Sequence, residues 1–362
     1  MVRIEKKIFW GTLLIGFVLQ TLLRVTGIFH LDHLMWSSQI QYYLSHDIRE
    51  FDFYTAYGHP GGTVIELGVL FSLIPGCSYN IALAIGISLL IATATAGCTV
   101  LCFVLHRNTY WWFAAACTLL INRMYLNATP PTAGVMPLIV FIILFAWWLW
   151  ETDVKHLRRL HFLLGAVMGI AAATRLDCSL LVNTSVFIML CYRYGRKVAL
   201  PTISGAVIGF IGADPFMWFM PVQHIQDLIH KFTMHYAHFR REKDDPVFFA
   251  DALWLSAMSV IFWLILLRQR LKVRVIPLPV MMTTSGISVI AIAVIFLSKF
   301  GTARYLFPLI IVWEVYLPLF IIKLLDAGRV VKSIEQSTRT SIISPSLIVL
   351  VCFVQIAAYL SI

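Results

Sequence analysis

Long apolar runs separated by short basic clusters constrain this chain more than any other feature. They fall at roughly 8–29, 79–105, 109–123, 134–150, 160–174, 177–195, 198–221, 248–267, 275–298, 305–322 and 342–361. A helix needs about 20 residues to cross the hydrocarbon core of a bilayer, so the pattern predicts about eleven transmembrane helices. Of the 362 residues, 60% are hydrophobic and 13% charged. A soluble domain carries about 25% charged residues, and no packed soluble core buries this much apolar surface. The predicted class is therefore all-α: a polytopic, multi-pass membrane protein forming one integral-membrane unit over residues 1–362.

The basic clusters set the expected orientation. Arg3/Lys6/Lys7, Arg107, Lys155/Arg158/Arg159, Arg193/Arg196/Lys197, Arg268/Arg270/Lys272/Arg274 and Lys323/Arg329/Lys332/Arg339 recur at every second boundary. Cytoplasmic loops are enriched in Lys and Arg, which places these clusters, and the N-terminus, inside. The run 8–29 is too long for a signal-peptide core and is followed by no small-residue cleavage site, so it reads as a signal anchor. The net charge of +10 is thus a topology signal, and nucleic acid is not an expected partner. Alternation holds only if the apolar stretch 63–75 stays on one side. The segment 30–78 then becomes one continuous external loop with interfacial helices, and 222–247 a second large external loop.

The first external loop holds the residues that hydropathy alone does not explain. Asp32-His33 opens it, and Gly58-His59-Pro60-Gly61-Gly62 precedes the apolar stretch. A carboxylate at position 32, at the outer end of the first span, can accept a proton from a hydroxyl; it can equally cap the interfacial helix that follows. His59 sits on a constrained turn whose glycines admit a ligand close to the backbone, or it simply caps that turn. Arg304 opens a late span on the outer side with Lys299 nearby. A guanidinium fork suits a phosphate, although basic residues at span ends also snorkel to lipid headgroups.

Arg123, Arg175, Asp177 and Asp214 are charges near membrane depth, where charge is costly and tends to be functional; Arg175 and Asp177 can instead pair across their short turn. His224, Lys231, His235 and His238 share one helical face, which reads as an amphipathic interfacial helix touching lipid phosphates. His235 and His238 stand one turn apart, but no carboxylate or cysteine completes a ligand set, so neither a metal nor another cofactor is expected. Trp111-Trp112 and Trp147-Trp148-Trp150 fit an interfacial aromatic belt. The seven cysteines read as small apolar residues, with a Cys77–Cys178 bridge as one arrangement that two far-side loops allow.

In the order and placement of its motifs the chain resembles the GT-C superfamily of membrane glycosyltransferases. The closest likeness is to the branch with protein O-mannosyltransferases and lipid A aminoarabinose transferases. The motifs are Asp32-His33 after the first span, His59-Pro60-Gly61 later in the same loop, and Arg304-Tyr305-Leu306-Phe307-Pro308 opening a late span. His33 stands where that branch has a second acidic residue, and Gly61 where it has a second proline. The resemblance implies a GT-C fold and inverting transfer of a sugar from a polyprenyl-phosphate donor to a hydroxyl of a lipid, glycan or protein acceptor. It implies Asp32 as catalytic base, with His59, Lys299, Arg304 and Tyr305 binding the donor phosphate or substrate. His33, Arg123, Arg175, Asp177 and Asp214 would line the cavity. The expected location is the bacterial inner membrane, with the site facing the periplasm and membrane lipids as neighbours. The alternatives are a polytopic transporter or flippase, whose internal repeat and midplane charges are not evident, and a non-catalytic GT-C-like accessory subunit.

Overall fold

The structure is a computed structural model that describes residues 2–26, 31–45, 62–107, 110–122, 128–152, 157–214, 216–219, 221–226, 229, 257, 276–298 and 306–330. Among these residues all regular structure is helical. The principal helices are α1 (Val2–Thr26), α2 (Leu31–Ser45), α3 (Gly62–Ser72), α4 (Tyr79–Leu105), α5 (Trp111–Ile121) and α6 (Pro130–Glu151). They continue with α7 (Leu157–Thr174), α8 (Leu176–Tyr194), α9 (Ala199–Ala213), α10 (Leu278–Ser298) and α11 (Phe307–Val330). Among the described residues four stretches are long and apolar enough to cross a membrane: Arg3–Thr26, Tyr79–Leu105, Pro130–Glu151 and Leu176–Ala213. The expected spans at 248–267 and 342–361 lie outside the described residues.

Local chemistry places the helix ends. Ser78 caps α4 by accepting the Ile81 amide, and proline opens α6, where its missing N–H costs nothing. Gly195 ends α8 at φ +71°, a left-handed conformation that glycine adopts without steric penalty. A 3₁₀ turn, Gly195–Val198, then feeds α9.

Tertiary contacts sort these ends into two sets. Glu5 of α1 and Arg107, just past α4, form an ion pair of 3.8 Å. This puts the start of α1 and the end of α4 at one end of the bundle, here called the first end. Gln20 donates to the Leu120 carbonyl at 2.6 Å, which brings the far parts of α1 and α5 together toward the second end. α7 and α9 run in close contact between the two. A Cβ at Gly165 would lie 3.0 Å from the Ala206 amide nitrogen, and one at Gly209 would lie 2.8 Å from the Ala166 carbonyl carbon. Small residues four apart on both helices, Gly165/Gly169 and Gly205/Gly209, let the backbones touch as membrane helices do.

α6 is central and buried along most of its length. Trp147 of α6 meets the rings of Trp111 and Tyr316, and Tyr316 meets Trp313, all fully buried; the rings of Trp111 and Trp147 lie 5.7 Å apart. Trp111 and Trp147 therefore belong to the core, not to an interfacial belt. Their indole N–H groups explain why burial is tolerated: Trp111 Nε1 donates to the Val315 carbonyl at 2.7 Å. Outward, the bundle is greasy. Leu14 and Ile15 on α1 are 66% and 64% exposed, and Leu200, Ile203, Val207 and Ile208 extend the same character along α9. An apolar surface of that extent matches lipid better than water.

α2 and α3 form a hairpin beside the second-end half of α4. Ile40 of α2 packs into the space at Gly68 of α3, and a Cβ at Gly86 of α4 would lie 2.9 Å from the Leu67 Cβ. The 11 residues of α3 rise about 16 Å, half of the ~30 Å hydrocarbon thickness.

Candidate functional site

The site begins where α9 stops. Asp214 leaves the helix in an extended conformation (φ −128°, ψ 97°), which turns its carboxylate back into the protein. Oδ1 accepts the Phe216 amide at 3.2 Å, and Oδ2 lies 2.8 Å from His224 Nε2. Asp214 is fully buried and His224 is 3% exposed. Imidazole Nε2 must carry the hydrogen to donate here, so the carboxylate fixes both the tautomer and the plane of the ring. The Phe216 ring packs over the imidazole with centroids 5.6 Å apart.

The start of α3 closes over this pair. Thr63 Oγ1 donates to the Ala213 carbonyl at 3.2 Å, and a Cβ at Gly62 would sit 2.7 Å from Asp214 Oδ1. Glycine is what the site accepts there, because any side chain would strike the carboxylate. One helical turn later comes Glu66, half-buried. Its carboxyl is raised above the ordinary range, first by burial and then by the charge of Asp214. Tyr43 of α2 meets the Phe216 ring edge-on at 6.2 Å. Its phenol is raised by burial and by the neighbouring Glu66.

Arg175 and Asp177 lie at the same end of the bundle, where α7 closes and α8 begins. Arg175 is buried, and its fork grips Asp177 with two bonds, Nε to Oδ1 at 2.9 Å and Nη2 to Oδ2 at 3.0 Å. Thus the pairing across the short turn is realised. A planar bidentate pair is the geometry in which a buried arginine is tolerated. Thr174, the residue before Arg175, shares a contact point with Val64 of α3. A Cβ at Gly134 would lie 3.3 Å from Thr174 Cγ2 and 3.9 Å from Val64 Cγ2.

His33 belongs to the other end of the hairpin. It is buried, and Nε2 donates to the Asn80 carbonyl at 3.1 Å at the start of α4. Burial outweighs that bond and pushes the imidazole down to about 4, with the Arg24 charge adding to the effect. His33 is therefore a neutral, anchored histidine. Asp32 is the second residue of α2. It stands eleven positions before Tyr43, or about 16 Å of helical rise. Of the other expected site residues, His59, Arg123, Lys299, Arg304 and Tyr305 lie outside the described residues.

Two corrections follow. His224 is buried against Asp214 rather than facing lipid phosphates from an amphipathic helix; Lys231, His235 and His238 lie outside the described residues. Cys77 and Cys178 are both free thiols. Among the described residues no group of three or more His, Cys, Asp or Glu side chains gathers as a metal-ligand set. Glu66 was missed, and its signal was an acidic residue inside the apolar stretch 63–75. Comparison of the chain with protein-family models, with curated proteins and with solved structures returns no match.

Proposed function

We propose that this protein is an inverting glycosyltransferase that moves a sugar from a polyprenyl phosphate to an acceptor hydroxyl. In this reading it is a multi-pass protein of the bacterial inner membrane with about eleven spans. Its N-terminus is cytoplasmic and the second end of the bundle faces the periplasm. The supporting observation is where the buried charge lies. Asp214–His224 and Glu66 gather at that end beside the α2–α3 hairpin, with Arg175–Asp177 at the same end of the bundle and position 32 in the first turn of α2, at the other end of the hairpin.

The chemistry needs little more. Asp32 takes the proton of the acceptor hydroxyl as its oxygen bonds to the anomeric carbon, and the bond from that carbon to the phosphate oxygen breaks. Polyprenyl phosphate leaves with the electron pair. It needs cations to hold its charge rather than an acid to protonate it, and Arg304 and Lys299 supply them, with His59 and Tyr305 at the same phosphate. The Asp214–His224 pair favours a second candidate base: an imidazole held in one tautomer by a buried carboxylate.

The test is a reconstituted assay in proteoliposomes with radiolabelled polyprenyl-phosphate sugars, scoring release of polyprenyl phosphate. Asp32→Asn is expected to abolish release with expression unchanged, and Arg304→Ala to raise the donor KM or stop turnover. Full activity of Asp32→Asn alongside an inactive His224→Gln would transfer the base role to His224. Movement of the intact donor across the bilayer without cleavage would sink the transferase reading in favour of a flippase.

A further inference from the structure

The first end of the bundle holds a cavity of about 890 Å³, remote from the cluster around Asp214. It opens where α4, α6 and α8 end and α10 begins. Its walls include His106, Trp147, Trp148, Trp150, Glu151 and Arg193, with Pro277 and Pro279 from the entry to α10. The volume falls within the range of small-ligand pockets, roughly 300–1,000 Å³.

Two opposite charges face this space. The Arg193 guanidinium carbon sits 5.4 Å above the Trp150 ring, a stacking that holds the fork in place while leaving its N–H edge available. Glu151, one turn after Trp147, is oriented by the Trp147 indole N–H, 3.4 Å from Oε1. Both residues are exposed and line the cavity, and among the described residues no ion pair joins them. A cation and an anion that line one aromatic-walled hollow without forming an ion pair with each other complement a ligand that itself carries both charges.

From this arrangement we infer that the cavity binds the headgroup of a zwitterionic amino-phospholipid. The phosphate diester pairs with Arg193, and the ammonium group pairs with Glu151. The apolar flanks of the surrounding helices, including Leu105 and Leu278 at the rim, receive the first methylenes of the acyl chains. This site does not depend on the transferase reading, since it lies at the opposite end of the bundle.

Native mass spectrometry of the full chain in detergent tests it, by titration with phosphatidylethanolamine, phosphatidylcholine and phosphatidylglycerol of matched acyl chains. Wild-type protein is expected to retain phosphatidylethanolamine about tenfold better than phosphatidylglycerol, the scale of one charge-assisted bond. Glu151→Gln, which keeps the acceptor for Trp147, should remove that preference. Arg193→Gln should weaken retention of all three lipids by about tenfold. Equal retention of phosphatidylglycerol and phosphatidylethanolamine by the wild type overturns the inference without reference to any variant. Unaltered binding in both variants, each with the wild-type unfolding midpoint, does so as well.

Discussion

Asp214 Oδ2 and His224 Nε2 lie 2.8 Å apart in a site that water does not reach, and Gly62 of α3 closes the other side of the same carboxylate. Removing one partner of a buried hydrogen-bonded pair leaves the other's polar atom unsatisfied, which costs about 1–3 kcal/mol. His224→Ala should therefore lower stability by that order, measured by denaturant unfolding in detergent micelles. Asp214→Asn combined with His224→Ala should cost clearly less than the sum of the singles, a coupling above about 1 kcal/mol. Additive losses would mean that the two side chains do not act as a pair.

The α7–α9 contact is a second, purely steric dependence. A Cβ at Gly169 would lie 2.9 Å from the Gly209 carbonyl carbon, with the Ala206 carbonyl oxygen nearer still, whereas one at Gly212 would meet nothing within 4 Å. Gly169→Ala should force the helices apart and cost on the order of 1–3 kcal/mol. Gly212→Ala, at the exposed end of the same helix pair, should be neutral or slightly stabilising because alanine restricts the unfolded chain. Matching thermal midpoints for the two variants would show that the close approach does not carry stability.

How much of this was legible in the sequence depended on whether the signal was periodic. α4 was readable to the residue at 79–105, because capping and apolar content agree there. The brevity of α3 was legible too, since the apolar stretch 63–75 is itself shorter than the ~20 residues of a span. The Arg175–Asp177 pair is local, two residues apart, and was readable as one of two outcomes. His224 was not. Its partner lies ten residues back, beyond the end of another helix, and helical periodicity reports which face a residue shares, not what that face meets. Trp111 and Trp147 misled for a related reason. Tryptophan near a span end usually marks the interface, but an acceptor for the indole N–H, the Val315 carbonyl for Trp111 and the Glu151 carboxylate for Trp147, makes the core equally suitable.

His33 makes stability depend on pH in a definite direction. Its folded imidazole sits at about 4 against an ordinary 6.5, so between those values the unfolded chain binds the extra proton. Stability then rises with pH across that window. The contribution is complete above about 6.5 and lost as pH falls toward 4. His33→Gln keeps a donor for the Asn80 carbonyl but cannot titrate, so its unfolding free energy should change less than the wild type's between pH 6.5 and 4. Parallel profiles for the two proteins would remove His33 as the source.

Glu66 has the opposite sign. Its carboxyl is raised by burial and by Asp214, so the folded protein holds the proton longer than the unfolded chain does. The associated stability is present below the ordinary carboxyl range and fades as pH climbs through the raised value, which leaves a cost at neutral pH where Glu66 ionises beside Asp214. Glu66→Gln imitates the protonated form and removes that cost. Its thermal midpoint should exceed the wild type's at pH 7.5, and the gap should shrink toward pH 4. The Asp214→Asn background offers an internal check: with the neighbouring charge gone, the part of the gain due to Asp214 should vanish while the part due to burial persists. A gain of equal size at pH 4 and 7.5 would mean that the amide simply packs better than the carboxyl, and the electrostatic link between α3 and the end of α9 would then have to be abandoned.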